Sequence, residues 1–217
     1  MHLSEGIVTS PLILGGGVVL ACAGVAMGLR KMDESHALRT AVLGSGFFVA
    51  SLIHIPLFGV SVHLTLAGLL GIVLGWAAFP AILVGLVLQA VLFGFGGIST
   101  LGLNTCIMAL PAVAAYYASR TLLRHPDSPH AVWVCGVLGA GSVAFSAVLL
   151  AAILRTAGEA FALVAWSVLI ANLPVMVIEA GVTATAVGFL AKVSPELLAG
   201  TSHWADGETK EELSSCD

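Results

Sequence analysis

The chain has 217 residues, of which 59% are hydrophobic and 9% charged, whereas soluble domains carry about 25% charged residues. A water-soluble fold has no interior large enough to hide that much apolar surface. The net charge of −4 carries little meaning, because much of the acid content falls after Ser194, in the run Glu208, Glu211, Glu212 and Asp217; nothing in it points to a nucleic-acid partner.

In lipid a single segment satisfies its backbone only as a helix, and about 20 apolar residues reach across. Seven such stretches follow one another, at 11–29, 37–58, 62–76, 79–95, 103–118, 132–154 and 160–191. They predict an all-α polytopic membrane bundle of about seven crossings. The third to fifth are short for a crossing, and the seventh is long, with Pro174 expected to kink or break it. The N-terminal stretch has no Lys or Arg ahead of its apolar run and only a loose lipobox lookalike at Cys22, so it is expected to be retained rather than cleaved.

Charge sets the parity of the crossings. Residues 40–119 contain no Asp, Glu, Lys or Arg. Arg30, Lys31 and Arg39 precede this stretch and Arg120 and Arg124 follow it. Positive charge favours the cytoplasmic side, so an even number of crossings lies between. The expected topology places the N-terminus outside and the C-terminus inside, with Lys192 and Lys210 also inside and only Arg155 outside. Residues 1–192 read as one membrane-embedded domain that opens with an extracytoplasmic metal-chelating segment at 1–10. Residues 193–217 read as an acidic cytoplasmic tail.

Small-residue spacings such as Gly71 to Gly75 and Gly136 to Gly141 suit close helix packing in lipid. Cys22, Cys106, Cys135 and Cys216 show no C-x-x-C spacing and read as packed thiols. The chain has no G-x-x-x-x-G-K-[ST] phosphate loop, and no paired carboxylates or H-E-x-x-H of an intramembrane enzyme. ATP hydrolysis, if it drives this protein, belongs to another chain.

His2 is the most informative residue. With Met1 before it, three nitrogens come in sequence: the Met1 amine, the His2 amide and the His2 ring. They close a five-membered and a six-membered chelate and fill three corners of a square plane. Tetragonal nitrogen fields favour Ni²⁺ or Cu²⁺ over tetrahedral Zn²⁺ and over the oxygen-seeking Mg²⁺ and Ca²⁺. The expected topology gathers His54 and His63 on the same face. A histidine inside an uncharged stretch is costly and faces a cavity or a partner, and His63 reads as a ligand, His54 as a structural hydrogen bonder. Supporting roles around the site fall to Glu5, His54, Thr65 and Asn104, with the glycine-rich loop 94–105 on the same face. His36, His125, His130 and His203 read as solvated. Glu179, Asn172 and Gln89 are polar residues in predicted spans, and Glu179 reads as a hydrogen-bonding partner of a neighbouring helix.

The motifs Met1-His2-Leu3-Ser4-Glu5-Gly6, Ser61-Val62-His63-Leu64-Thr65, the loop from Gly94 to Thr105 and Ile178-Glu179-Ala180-Gly181-Val182-Thr183-Ala184 resemble the CbiM/NikM family. The resemblance runs to about Lys192. It implies the substrate-binding component of an energy-coupling factor ABC importer in the prokaryotic cell membrane. Such a component has no cofactor of its own and takes Ni²⁺ or Co²⁺ as substrate. The implied partners are a transmembrane coupling subunit, two cytoplasmic ATPase subunits and a small accessory membrane subunit, which some relatives carry fused. The resemblance implies metal ligation by the free terminus of Met1, by His2 and by His63. This chain carries Phe95 where members commonly have a histidine, so no direct ligand is expected from that loop. Val62-His63-Leu64-Thr65 is nearer the nickel type than the Ser-His-Pro-Thr of the cobalt type, and nickel is expected ahead of cobalt. The competing reading is a self-sufficient secondary permease in which Glu179 and His54 form an ion path. The scarcity of further acids along the spans argues against it.

Overall fold

The computed structural model describes residues 2–32, 34–57, 60–122, 129–194 and 198. Within them the chain forms α1 (Pro11–Arg30), α2 (Glu34–Ser51), β1 (His54–Leu57), β2 (Val60–His63), α3 (Ala67–Leu74), α4 (Ala78–Phe93), α5 (Leu101–Leu122), α6 (Pro129–Thr156) and α7 (Ala162–Val193). Among the described residues, five stretches are long and apolar enough to cross a membrane: Pro11–Arg30, Ala67–Phe93, Leu101–Leu122, His130–Thr156 and Glu159–Val193. The all-helical membrane bundle read from the sequence therefore stands, but several of its element boundaries do not.

The second helix stops at Ser51 instead of running to residue 58, and no helix opens at residue 62. Between them β1 and β2 pair antiparallel, with His54 opposite His63 and Pro56 opposite Ser61. The composition favours the change: Ile55, Val60 and Val62 suit a pleated strand, and Pro56, which lacks an N–H, disfavours continuing the helix. Helix α3 begins only after Leu66, whose φ of 46° is left-handed, and it is eight residues long. At about 1.5 Å per residue it rises about 12 Å, less than half of a bilayer core of about 30 Å.

The stretch Ala67–Phe93 is not one straight rod. Helix α5 starts beside Leu3, which bonds to Asn104, and reaches Gly75 by Tyr116. Gly71 and Gly75 of α3 face Ala112 and Tyr116 of α5 in the same order, so α3 and α5 run parallel. Helix α4 leaves the Gly75 end, where Trp76 and Pro80 pack on Gly28 of α1, and finishes where Gly96 lies beside His2. The chain thus doubles back at Gly75, whose φ of 57° is one that glycine adopts without steric cost.

Helices α6 and α7 pair antiparallel through small residues: Gly188 lies against Val132, Gly136 against Ala184, and Gly139 against Thr183 and the Glu179 carbonyl. A Cβ at Gly139 would come 2.5 Å from Thr183 Oγ1. Gly68 lies against Gly139 with equal closeness, which brings the α3 backbone onto α6; close backbone approach is how helices associate in lipid. Helix α7 continues through Pro174 without the expected break. Phe47, Leu70, Phe79, Ile82, Ile107 and Met108 form the packed centre, while Leu12, Val91, Trp133 and Val177 face outward, as lipid contact requires. Cys106 and Cys135 are buried, but Cys22 is exposed and not packed as expected. Cys216, His125, Arg124, Lys210 and most of the predicted tail lie outside the described residues.

Candidate metal centre

The N-terminal segment is pinned by its backbone. The Leu3 N–H donates to Asn104 Oδ1 at 2.8 Å, and the Leu3 carbonyl accepts from Asn104 Nδ2 at 3.1 Å and from the Thr100 hydroxyl at 2.8 Å. Each such bond contributes about 1 kcal/mol net, and each buried group left unmade would cost more. Two residues on, Glu5 Oε2 accepts from the Ser99 N–H at 3.3 Å, and Gly97 packs so closely on Glu5 that a Cβ would collide. The glycine-rich loop is thus a saddle for residues 3–5, and it fixes where His2 enters the interior.

The hairpin supplies the other two rings. Residues directly opposed in an antiparallel pair share a face, and the register places His54 opposite His63. Their ring centroids are 5.0 Å apart, and His2 stacks on His63 at 4.6 Å. One donor atom from each of His2, His54 and His63 lies within 4.8 Å of the others. Imidazole nitrogens sit about 2.0–2.1 Å from a divalent transition metal, so a small inward shift of the rings seats one ion.

The tautomers favour ligation. His63 Nδ1 lies 2.9 Å from the Leu64 carbonyl and His54 Nδ1 lies 3.1 Å from the Leu52 carbonyl. A carbonyl can only accept, so Nδ1 carries the proton in both rings and Nε2 keeps its lone pair. His63 Nε2 and both ring nitrogens of His2 are buried without a well-directed hydrogen bond, and buried polar atoms ordinarily have a partner. Burial, followed by the positive amino terminus, holds His2 and His63 well below the usual imidazole pKa. Both rings are therefore neutral and able to donate a lone pair.

Glu179 of α7 is fully buried and braces the hairpin exit. Its Oε2 accepts from the Thr65 N–H at 3.2 Å, while the Ala67 N–H turns to the Thr65 hydroxyl at 3.5 Å. Glu179 thus anchors the backbone that leads into α3 two residues after His63, where a negative charge near a helix start is favourable. The reading of Glu179 as a partner of a neighbouring segment stands. A cavity of about 610 Å³ opens beside the histidines, walled among others by Glu5, Phe95 and Asn172. The Phe95 ring packs on His54 at 4.3 Å.

Of the residues expected at the site, His2 and His63 come together. Glu5, Thr65 and Asn104 hold the segments that carry them. His54, read as a hydrogen bonder, faces the same centre as the other two rings. Met1 lies outside the described residues. His36 and His130 are not members of the cluster. Gln89, read from the sequence only as a polar residue in a predicted span, lies against His2; no spacing signal ties a residue of α4 to the second residue of the chain.

A helical membrane bundle with a cluster of neutral imidazoles at one end is the build of a membrane protein that handles transition-metal ions. Residues 2–197 match the family CbiM, cobalt uptake substrate-specific transmembrane region. The chain is 38% identical over 212 residues to a putative metal transport protein of Haemophilus influenzae, covering 94% of this chain and 100% of that one. It is 27% identical to a cobalt transport protein CbiM of Sorangium cellulosum, over 91% of this chain and 94% of the relative. It is 33% identical over 123 residues to a fused nickel transport protein NikMN of Rhodobacter capsulatus, covering 53% of this chain and 35% of that protein. The crystal structure of a transition metal transporter superposes with a TM-score of 0.77 at 25% identity, over 89% of this chain and 93% of that one. The chain belongs to the CbiM family and is a membrane component of cobalt or nickel transport.

Proposed function

We propose that this chain captures Ni²⁺, and less favourably Co²⁺, at the outer face of the membrane and delivers it to an ATP-driven energy-coupling factor importer. The observation that carries this reading is the meeting of His2, His54 and His63, with donor atoms within 4.8 Å of one another. In the proposed site the Met1 amine and the His2 amide and ring form the fused chelate, His63 Nε2 takes a fourth position and His54 approaches from the facing strand. An all-nitrogen tetragonal set favours Ni²⁺.

In this reading the N-terminus faces outside and the C-terminus the cytoplasm. The placement of Arg30, Lys31, Arg39, Arg120 and Lys192 supports that orientation. A coupling subunit, two ATPase subunits and a small accessory subunit complete the importer, and the fused relative supports partnership of this kind. The permease reading loses support because the Glu179 carboxylate is engaged with the backbone N–H of Thr65.

Reconstitution into liposomes tests the assignment. The chain alone is expected to bind Ni²⁺ but give little uptake, and uptake is expected on adding coupling and ATPase subunits with ATP. Rapid, saturable flux from the chain alone, unchanged by the partners, would establish the permease instead.

A further inference from the structure

Gln89 of α4 is fully buried, and its Nε2 donates to Ser51 Oγ. The Ser51 hydroxyl donates its own proton to the Phe48 carbonyl at 2.7 Å. A hydroxyl has one proton. With that proton committed, Ser51 can only receive from Gln89, so the amide nitrogen must face Ser51 and Oε1 must face away from it. Oε1 is buried and lacks a well-directed partner. His2 lies within reach of this side chain, and its two ring nitrogens are also buried without one. Two orphaned groups of complementary chemistry, an acceptor oxygen and an imidazole N–H, therefore adjoin in the same interior.

We propose that Gln89 is a positioning residue for metal capture: its Oε1 accepts the N–H of the His2 ring nitrogen that does not bind the ion. This rests on the metal-site reading above. Chelation through His2 Nδ1 leaves Nε2–H needing an acceptor, and the relay from the Phe48 carbonyl through Ser51 to Gln89 presents one of fixed polarity. The bond selects the tautomer whose lone pair points at the metal and holds the ring in the chelate plane. Metal-bound histidines ordinarily give their second nitrogen such a partner. The Leu52 and Leu64 carbonyls fill that role for His54 and His63, and Gln89 completes the set.

The test is calorimetric titration of the purified full chain with Ni²⁺, together with pulsed EPR of its Cu²⁺ complex, which reads the quadrupole coupling of the remote imidazole nitrogens. Gln89→Met keeps the length and removes the acceptor; it is expected to weaken Ni²⁺ binding by about 10–100-fold and to shift one remote-nitrogen coupling. Gln89→Glu keeps an acceptor oxygen, so it is expected to restore most of the affinity and to shift the same coupling in the opposite sense. If Gln89→Met does not fold, the coupling in Gln89→Glu decides alone, since only a bond to His2 would move it. Tight wild-type binding with an unchanged Gln89→Met, or unchanged remote couplings in both variants, overturns the role of Gln89 alone. Absence of tight Ni²⁺ binding in the wild type overturns this inference and the metal-site reading together.

Discussion

Thr65 and Glu179 stand 114 positions apart, yet the Thr65 N–H donates to Glu179 Oε2 at 3.2 Å. That bond fastens the hairpin carrying His54 and His63 to the longest of the described helices, and it sets where α3 begins. A helix of eight residues is too short to hold its own first turn against the cost of nucleation, so tertiary contacts must do it.

Replacing Glu179 with Leu is therefore expected to strand the Thr65 N–H and to lower stability by about 1–3 kcal/mol for the loss of its buried acceptor. Glu179→Gln keeps one acceptor oxygen and should lose less. Thermal unfolding of both variants in detergent, compared with wild type, measures the difference. Equal stability of all three would show that Glu179 does not anchor α3.

His2→Ala and His63→Ala are each expected to abolish tight Ni²⁺ binding while leaving the fold intact, because they remove a ring at the end of the bundle and leave the Leu70, Phe79 and Met108 core untouched. His54→Ala should weaken binding by less, since the fused chelate and His63 remain. Calorimetry ranks the three, and undiminished affinity in His2→Ala or His63→Ala would remove the site from this end of the molecule.

Asn104 grips both polar groups of the Leu3 backbone. Asn104→Leu should loosen the N-terminal segment and leave the Leu3 N–H unpaired, its carbonyl keeping the Thr100 hydroxyl, at a cost of about 1–3 kcal/mol, about a 5- to 150-fold loss of Ni²⁺ affinity at about 1.4 kcal/mol per decade. Hydrogen exchange at residues 2–6 should accelerate in step. Slow exchange with full affinity would mean that the loop contacts suffice without Asn104.

Acid should release the metal through the amine, not through the rings. The pKa values of His2 and His63 lie well below the usual imidazole value, because burial penalises the charged form and the positive amino terminus adds to it. A lowered pKa means that both rings are already unprotonated at neutral pH and remain so somewhat below it. An α-amino group ordinarily titrates at about 7.7–8.0, so below that range the ion must displace its proton. Affinity is expected to fall about tenfold per pH unit for each proton displaced, and about a hundredfold if the His2 amide is deprotonated too. Titration in buffers of differing ionisation enthalpy counts those protons. Acetylating the amine, or placing one residue before Met1, should abolish tight binding; full affinity in the extended variant would exclude the chelate.

Composition and hydropathy by themselves determined that this chain is a helical membrane bundle, because lipid leaves an apolar segment no other way to satisfy its backbone. The pairing of His2 with His63 was also legible, since a nitrogen-rich terminus and a histidine in an uncharged run are both costly unless they serve something. Hydropathy could not separate the hairpin from the helix after it, because residues 53–76 are apolar under either geometry and the break depends on Pro56, on Leu66 and on the turn at Gly75. His54 joined the site only through strand register, which one residue of slip would have reversed. Glu179 and Gln89 acquired their partners from segments distant in sequence, and such meetings follow from how Gly68 and Gly139 let α3, α6 and α7 approach and how Gly85 admits Phe47 of α2 against α4. Close packing between helices is a property of whole surfaces in contact, and no single stretch of sequence contains it.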